Sequence, residues 1–361
     1  MGFRFRKSKK LGKGARITFS KRGAGLSFGG KGLRLGVGSS GPRARATLPG
    51  TGVFYEKRFG TSKKAKQHSN DTAGSLSGQR QQAGSARKQA EAYRDAWEGW
   101  MEQLRTFHQA DVEEVDWVGE AEALPPFTEE ETGPNEAAAR RRLEAYRPTI
   151  FDRLFRREHK KRAALKSELE NAKQEDRALY EAWQEDVARA KRMVAGDPET
   201  MKAEIMSAGA AELLKNLKGR LDVQSIATDT AVLRLFLTDD EEVVPHVRYH
   251  VTKTGKLSEK NLTKTEYYAL WRDYVLALAV LVMREAVAHT PLEKVVVHVQ
   301  GPDADGSEST IFTVGVRRDL EYQLDQTHLP LTEIVEELPH RLNFLKTKGT
   351  RAVQPLEEED V

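Results

Sequence analysis

The chain has 361 residues, 31% of them charged and 39% hydrophobic, with a formal charge of +4 and no cysteine. That length leaves room for two or three domains, each with its own core. The missing cysteines exclude disulfides and thiolate metal sites, and they fit a reducing compartment.

The charge is unevenly placed. Residues 1–66 hold eighteen Lys+Arg against one acid, Glu56, a formal +17, so the other 295 residues sum to −13. Within this basic stretch Gly14, Gly23, Gly32, Gly41 and Gly50 recur every nine residues. The fourth and sixth places of each unit are apolar: Ile17 and Phe19, Leu26 and Phe28, Leu35 and Val37, Ala44 and Ala46, Val53 and Tyr55. Residues two apart share a face of a strand, and glycines at fixed phase suit turns. The pattern predicts five short strands in a sheet that is apolar on one face, with Arg16, Arg34, Arg43 and Arg45 on the other.

Residues 61–84 are rich in Gly, Ser and Gln and read as a flexible linker. Tyr93, Trp97, Trp100, Leu104 and Phe107 then form a helical seam that needs a partner surface. Residues 109–136 carry ten acids and no Lys or Arg, with Pro125, Pro126 and Pro134 preventing a long helix. From Thr149 a long helix is expected to run to Ala195, with Thr149 and Asp152 as its cap-like start and Gly196-Asp197-Pro198 ending it. Its Leu165, Leu169, Ala172, Asp176, Leu179 and Trp183 follow a 4-3-4-3-4 pattern, read as a coiled coil between chains or a helical hairpin within one.

The last third alternates. Strands are expected at Ala231–Leu237, Val243–Val251, Val295–Val299 and Ile311–Val316. A helix capped by Thr263 and Glu266 should reach about His289 with its Tyr274–Met283 run buried, and a short helix is expected near Leu331–Leu345. The whole is multidomain α+β. It divides into a basic nonapeptide-repeat β module at 1–60, a linker at 61–84, a helix plus acidic segment at 85–135, a long helical arm at 136–218 and an α/β domain at 219–361.

Several motifs fail on context. Gly36-Val37-Gly38-Ser39-Ser40-Gly41 fits a dinucleotide fingerprint but precedes a strand, not a helix. Gly25 to Lys31 imitates a phosphate-binding loop, yet Gly32 stands where Ser or Thr must hold magnesium. Leu48-Pro49-Gly50-Thr51-Gly52 matches a sortase pentapeptide and reads as a turn. His246 and His250 have a zinc-pair spacing, but Pro245 and β-branched neighbours indicate a strand, which holds them about 13 Å apart. Asp239-Asp240-Glu241-Glu242, with Lys253 beyond, could serve a metal-dependent nuclease; the plainer reading is a solvated turn. No catalytic residue, metal ligand or cofactor is assigned.

The opening has no apolar run behind its basic residues, Arg6 stands where a myristoylation signal needs Ser or Thr, and Tyr274–Met283 falls short of the roughly 20 residues of a membrane span. A cytoplasmic protein without a membrane partner is expected.

MGFRFRKSKKLGKGARITFSKRG, KGLRLGVGSSGPRARATLPGTG and VFYEKR resemble an N-terminal module of bacterial proteins that carries a domain-of-unknown-function label. EAYRPTIFDRLFRRE, VTKTGKLSEKNL and RLNFLKTKGTRAVQPLE resemble the helical region and the α/β C-terminal domain of its longer members. The resemblance implies a bacterial cytoplasmic origin and one inherited architecture, and it brings no activity.

Arginines on neighbouring strands about 4.8 Å apart form a stripe able to follow phosphates. The first expectation is therefore a non-enzymatic binding protein, with Arg16, Arg34, Arg43, Arg45, Lys63, Lys64 and Lys66 on nucleic acid or another polyanion. An acidic protein surface, including residues 109–136, is the competing partner. The alternatives are a self-assembling protein that forms a homo-oligomer through the module and a nuclease-like C-terminal domain.

Overall fold

A computed structural model describes the backbone of 6–10, 15–20, 23–28, 33–38, 41–47, 54–58, 76–128, 131–150, 152, 157–323 and 329–361. Side chains are described from residue 87 on, apart from 88–89, 92 and 321–323. In chain order the first strands are β1 (Arg6–Lys10), β2 (Ala15–Ser20), β3 (Gly23–Phe28), β4 (Leu33–Gly38), β5 (Gly41–Thr47) and β6 (Phe54–Arg58). Helices α1 (Leu76–Arg105), α2 (Trp117–Ala121), α3 (Pro134–Ala145), α4 (Glu158–Val194), α5 (Pro198–Ser207) and α6 (Gly209–Asn216) follow. The rest comprises β7 (Arg220–Ile226), β8 (Thr230–Phe236), β9 (Val247–Val251), β10 (Leu257–Asn261), α7 (Lys264–His289), β11 (Lys294–Pro302), β12 (Glu308–Arg317), α8 (Leu331–Glu336), β13 (His340–Leu345) and β14 (Gly349–Arg351). The protein is mixed α+β. It divides into two compact units, one of Met1–Glu114 with Met201–Val361, the other of Val115–Thr200.

In the first unit β1 to β6 form an antiparallel meander in sequence order. The nonapeptide pattern predicts five strands; β1 is a sixth, paired with β2. Gly23 and Gly41 open β3 and β5, whereas Gly14, Gly32 and Gly50 lie outside the described residues. The register aligns the apolar positions across strands: Ile17 with Leu26, Leu26 with Val37, Phe28 with Leu35 and Leu35 with Ala44. Helix α1 runs close to β3 and β4, and α6 close to β3.

Helix α1 begins at Leu76, inside the segment whose composition suggests a linker. Gln79, Arg80, Gln81, Gln82 and Ala83 are sound helix formers, and the helix propagates upstream from the packed turns around Trp97. The seam meets the C-terminal part of the unit. Trp97 Nε1 donates to the Val247 carbonyl at 2.9 Å and Trp100 Nε1 to that of Val243 at 3.0 Å. Tyr93 and Trp97 both meet the Tyr249 ring edge-on.

The core of this unit is α7. Thr263 and Glu266 form the expected capping box, and every residue from Tyr274 to Met283 is buried. A helix that is apolar all round must be covered all round. Strands β11 and β12 lie against one side, with α1, α6 and α8 against others. Arg318 secures its end, donating through Nε to the Leu292 carbonyl at 2.9 Å and through Nη2 to the Val287 carbonyl at 2.8 Å. The helix is the crossover between parallel strands β8 and β11, in a sheet ordered β14-β13-β12-β11-β8-β7.

Two expectations here need correction. Strand β9 starts at Val247, because Pro245 interrupts the run and the Val243 and Val244 amides turn back onto the Asp240 carbonyl. The helix near Leu331 ends at Glu336, ahead of Pro339, and 340–345 is strand β13.

In the second unit α4 spans 37 residues and lies along α2 and α3. The long helix starts at Glu158, not at the expected Thr149, with Arg157 as its N-cap and no side-chain cap bond. The Thr149–Asp152 pair lies upstream of it, the Thr149 amide donating to Asp152 and the Asp152 amide to Thr149 Oγ1, at 3.1 and 3.2 Å. Gly196 adopts a φ of 71°, and Asp197 accepts the Thr200 amide at 2.9 Å to cap α5. The 4-3-4-3-4 seam is used within the chain. Ala172 and Asp176 are buried, Trp183 Nε1 donates to the Ala123 carbonyl, and Arg189 stacks over Trp117. Leu179, in contrast, is 44% exposed. The helices beside α4 are α2 and α3, both of which precede it.

Candidate functional site

The basic module is the first candidate. Arg16 lies on β2, Arg34 on β4, and Arg43 and Arg45 on β5; Lys63, Lys64 and Lys66 lie outside the described residues. Cross-strand partners occupy the same face of a sheet. The register therefore draws one row across all six strands: Lys10, Arg16, Ser27, Gly36, Arg43 and Arg58. Beside it runs a second row, Arg34, Arg45 and Glu56. Arg34 is directly opposite Arg45, and Arg43 directly opposite Arg58. Glu56 is the only acid in the two rows. All four arginines expected at this site are thus brought to one face, the face opposite the apolar rows.

A second polar row crosses the C-terminal sheet. One face of that sheet presents Ala231, Leu233, Leu235, Val295, Val297, Val299, Phe312, Val314 and Val316, all fully buried against the core. On the other face Asp222, Arg234, His298, Thr313 and Arg341 are successive cross-strand partners, one each from β7, β8, β11, β12 and β13. His298 Nδ1 and Thr313 Oγ1 are 2.8 Å apart and both residues are buried. Burial, then the nearby Arg234 charge, pushes the His298 pKa down and keeps the ring neutral.

The C-terminal residues lie over part of this face. The Leu356 amide donates to Thr313 Oγ1 at 3.3 Å, Arg341 donates to the Pro355 carbonyl and to Asp360 at 2.8 Å each, and Lys294 donates to the Glu358 carbonyl. Leu356 packs with Val232 and Val296, joined by Val361. At the other end of the row Arg220 stacks over Phe236 at 4.0 Å, with Arg234 at 5.9 Å from the same ring. Sequence reasoning passes over this row. Its signal is a single polar residue inside each of two apolar runs, Arg234 in AVLRLF and His298 in KVVVHVQ, two places beyond Val232 and Val296.

The acidic turn is engaged with its own surroundings. Lys218 donates to Asp240 at 2.5 Å and pairs with Glu242 at 2.7 Å, contacts that raise its pKa. Tyr267 donates its hydroxyl to Asp239, and burial together with that bond pushes its pKa up. The His246 ring meets that of Tyr267 at a tilt, with centroids 4.1 Å apart, while His250 sits on β9 opposite Ser258. Among the described residues no group of three or more His, Asp or Glu is arranged to hold a metal ion, and no helix is long and apolar enough to cross a membrane.

The model of a family described as a protein of unknown function (DUF4236) matches residues 3–56. That stretch takes in β1 to β5 and most of β6 and stops short of α1, so the likeness belongs to the N-terminal module. No curated protein and no solved structure matches the chain.

Proposed function

We propose that the chain is a non-enzymatic binding protein of bacterial, cytoplasmic origin whose basic β module holds nucleic acid or another polyanion. Arg16, Arg34, Arg43 and Arg45 make the contacts, and Lys63, Lys64 and Lys66 add flanking charge. The observation that supports this reading is the register, which sets arginine opposite arginine on neighbouring strands with one acid in the two rows. An array of this kind is relieved by an anion laid across it, and strands about 4.8 Å apart offer a cation at intervals that a phosphate backbone can follow. Few aromatic residues fall in these rows, so contacts to phosphate rather than base stacking carry the affinity.

The test is a salt series on the full chain, with anisotropy measured on labelled duplex DNA, RNA and an inert polyanion. Each phosphate contact adds about 0.9 to the magnitude of the log–log salt slope on duplex DNA. Replacing Arg34 and Arg43 with Ser should lower it by nearly two and leave sequence preference unchanged. No salt-dependent binding of any polyanion at about 50 mM salt, where such contacts are strong, would sink the reading.

Self-assembly is the second reading, favoured by the sheet ending in β1 and β6, with no further strand paired to either among the described residues. Open edges template further strands. Size that grows with protein concentration, and that persists at high salt, distinguishes it from polyanion binding.

A further inference from the structure

We propose that Arg220 and Arg234, at the uncovered end of the C-terminal sheet's outer face, bind a phosphate-class oxyanion, either free or carried on a polynucleotide. The two residues are diagonal neighbours on β7 and β8, since Arg220 is paired with Phe236 and Asp222 with Arg234. Diagonal positions on paired strands are about 7–8 Å apart, close enough for two guanidinium groups to reach one tetrahedral anion. The Phe236 ring lies under both, with their guanidinium carbons 4.0 and 5.9 Å from its centroid. Stacking on the ring restrains the guanidinium planes and leaves their N–H edges for hydrogen bonding.

The pair is poorly neutralised. Among the described residues Arg220 forms no ion pair, and Arg234 has only Asp222, at a long 3.5 Å. Arg234 Nε is buried without a partner, so the terminal nitrogens carry its outward hydrogen-bonding capacity. Its side chain is 39% exposed and Arg220 is exposed, so an anion can reach them from solvent. His298, the next member of the row, is held neutral and adds no charge. At the far end of the same row the equivalent position is already filled: Arg341 donates to the Asp360 carboxylate at 2.8 Å. The outer face therefore accepts an anion where the tail supplies one, and at Arg220 and Arg234 the tail supplies none.

Two guanidinium forks also decide the class of anion. One fork saturates a planar carboxylate, whereas a phosphate offers oxygens to both and carries more charge. Gln300 and Thr310, paired with each other and with Phe236 along the adjoining row, border the site with further polar groups. This inference stands apart from the polyanion reading of the N-terminal module, because it uses a different sheet and different arginines.

The test is calorimetric titration of the full chain at low salt with two probes, inorganic phosphate and a short single-stranded oligonucleotide. The native chain should bind at least one. Arg220→Gln combined with Arg234→Gln should weaken that probe by about tenfold or more, the scale of one lost charge-assisted contact. Binding of both probes assigns a free-anion site that a polynucleotide also enters; binding of the oligonucleotide alone assigns the backbone as the source. Arg220→Gln by itself touches an exposed residue and should leave the fold intact, so a loss with that variant is a loss of contact. Phosphate should also shift the His298 ring signals in the NMR spectrum of the native chain and leave them unmoved in the double variant. The inference is overturned if neither probe binds the native chain, or if the double variant binds both as the native chain does. If Arg34→Ser with Arg43→Ser abolishes oligonucleotide binding while Arg220→Gln with Arg234→Gln changes nothing, the module reading survives and this one falls. The reverse pattern does the opposite.

Discussion

The carboxylate of Asp176, midway along α4, accepts the backbone amide of Glu136 at 2.7 Å. It also accepts the Asn135 amide at 3.1 Å and the Asn135 side chain at 2.8 Å, so a residue of one helix caps the first turn of another. The first amides of a helix have no partner inside it, and a negative charge there is favoured by the helix dipole. Asp176 is 4% exposed, and a Cβ added at Gly133 would lie 2.3 Å from its carboxylate, so the approach requires glycine there. Asp176→Ala should cost about 2 kcal/mol, the upper end for a lost cap, and speed hydrogen exchange at residues 135 and 136. Asp176→Asn should cost less, since an amide oxygen still accepts. Equal costs in the two variants, measured by denaturant unfolding, would mean that packing rather than capping holds α3.

That contact also explains why the α4 seam was only half legible. A polar residue at one seam position of a 4-3-4-3-4 pattern is what a register-setting coiled coil would have, and periodicity cannot name the partner. The partner is a helix whose own pattern is weak, since α3 is PNEAAARRRLEA with Ala139 its one buried residue. Where local chemistry decides, the sequence was readable: Thr263 and Glu266 start α7, and Gly196 and Asp197 end one helix and cap the next. Where tertiary pairing decides, it was not. Strands β10, β13 and β14 carry few buried side chains and form because a neighbour has unpaired backbone groups to offer. For the module, the period-two pattern put the four arginines on one face, but the addition of β1, which aligns Lys10 with Arg16, lies in a segment with no apolar alternation.

Acid should destabilise the first unit through His108. This residue is 2% exposed beside Arg284, whose Nη1 donates to the His108 and Ala110 carbonyls at 2.7 Å each. Burial, then the Arg284 charge, pushes the His108 pKa down to about 4, a backbone contact with Arg105 opposing. An unfolded histidine titrates near 6.5, so between about 6.5 and 4 the unfolded chain binds a proton that the folded chain refuses. Stability is full above that window and falls through it by about 3 kcal/mol. His298, also pushed down by burial and Arg234, works in the same direction. Unfolding midpoints from pH 7.5 to 4 should fall in the native chain and fall less in His108→Gln; parallel curves would remove His108 from the account.

Trp100 and Trp97 make the same hydrogen bond under different burial, which separates two costs. Trp100 is 7% exposed and its Nε1 donates to the Val243 carbonyl at 3.0 Å; Trp97 is half-buried with a 2.9 Å bond to Val247. Replacement by Phe keeps an aromatic ring and removes the donor. At Trp100 the abandoned carbonyl has no water to turn to, so Trp100→Phe should cost about 1–3 kcal/mol, whereas Trp97→Phe should cost about 1 kcal/mol or less. Matching losses in thermal unfolding would mean that ring volume, not the hydrogen bond, fixes α1 to the C-terminal part of the unit.

Gly315 and Val361 supply the last test, because their contact fixes how the C-terminal residues lie on the outer face. A Cβ added at Gly315 would meet Val361 Cγ2 at 2.2 Å and its Cγ1 at 3.1 Å. Strand β12 is a poor place for glycine on propensity grounds, so the residue is explained by the close approach. Gly315→Ala should push Val361 away and uncover Val232 and Val296, which Leu356 and Val361 now cover. The expected cost is about 1–3 kcal/mol, that of overpacking a filled site, less whatever alanine gains in a strand. Trimming the opposing residue in Val361→Ala should cost about 1 kcal/mol alone but restore room in the double variant. The double-mutant cycle should then show a favourable coupling of about 1 kcal/mol, the scale for residues in direct contact. Hydrogen exchange at the Leu356 amide, which donates to Thr313 Oγ1, should follow the same order, fastest in Gly315→Ala and slower again in the double variant. Additive costs with unchanged exchange would mean that Leu356 and the Arg341–Asp360 pair hold the segment without Val361.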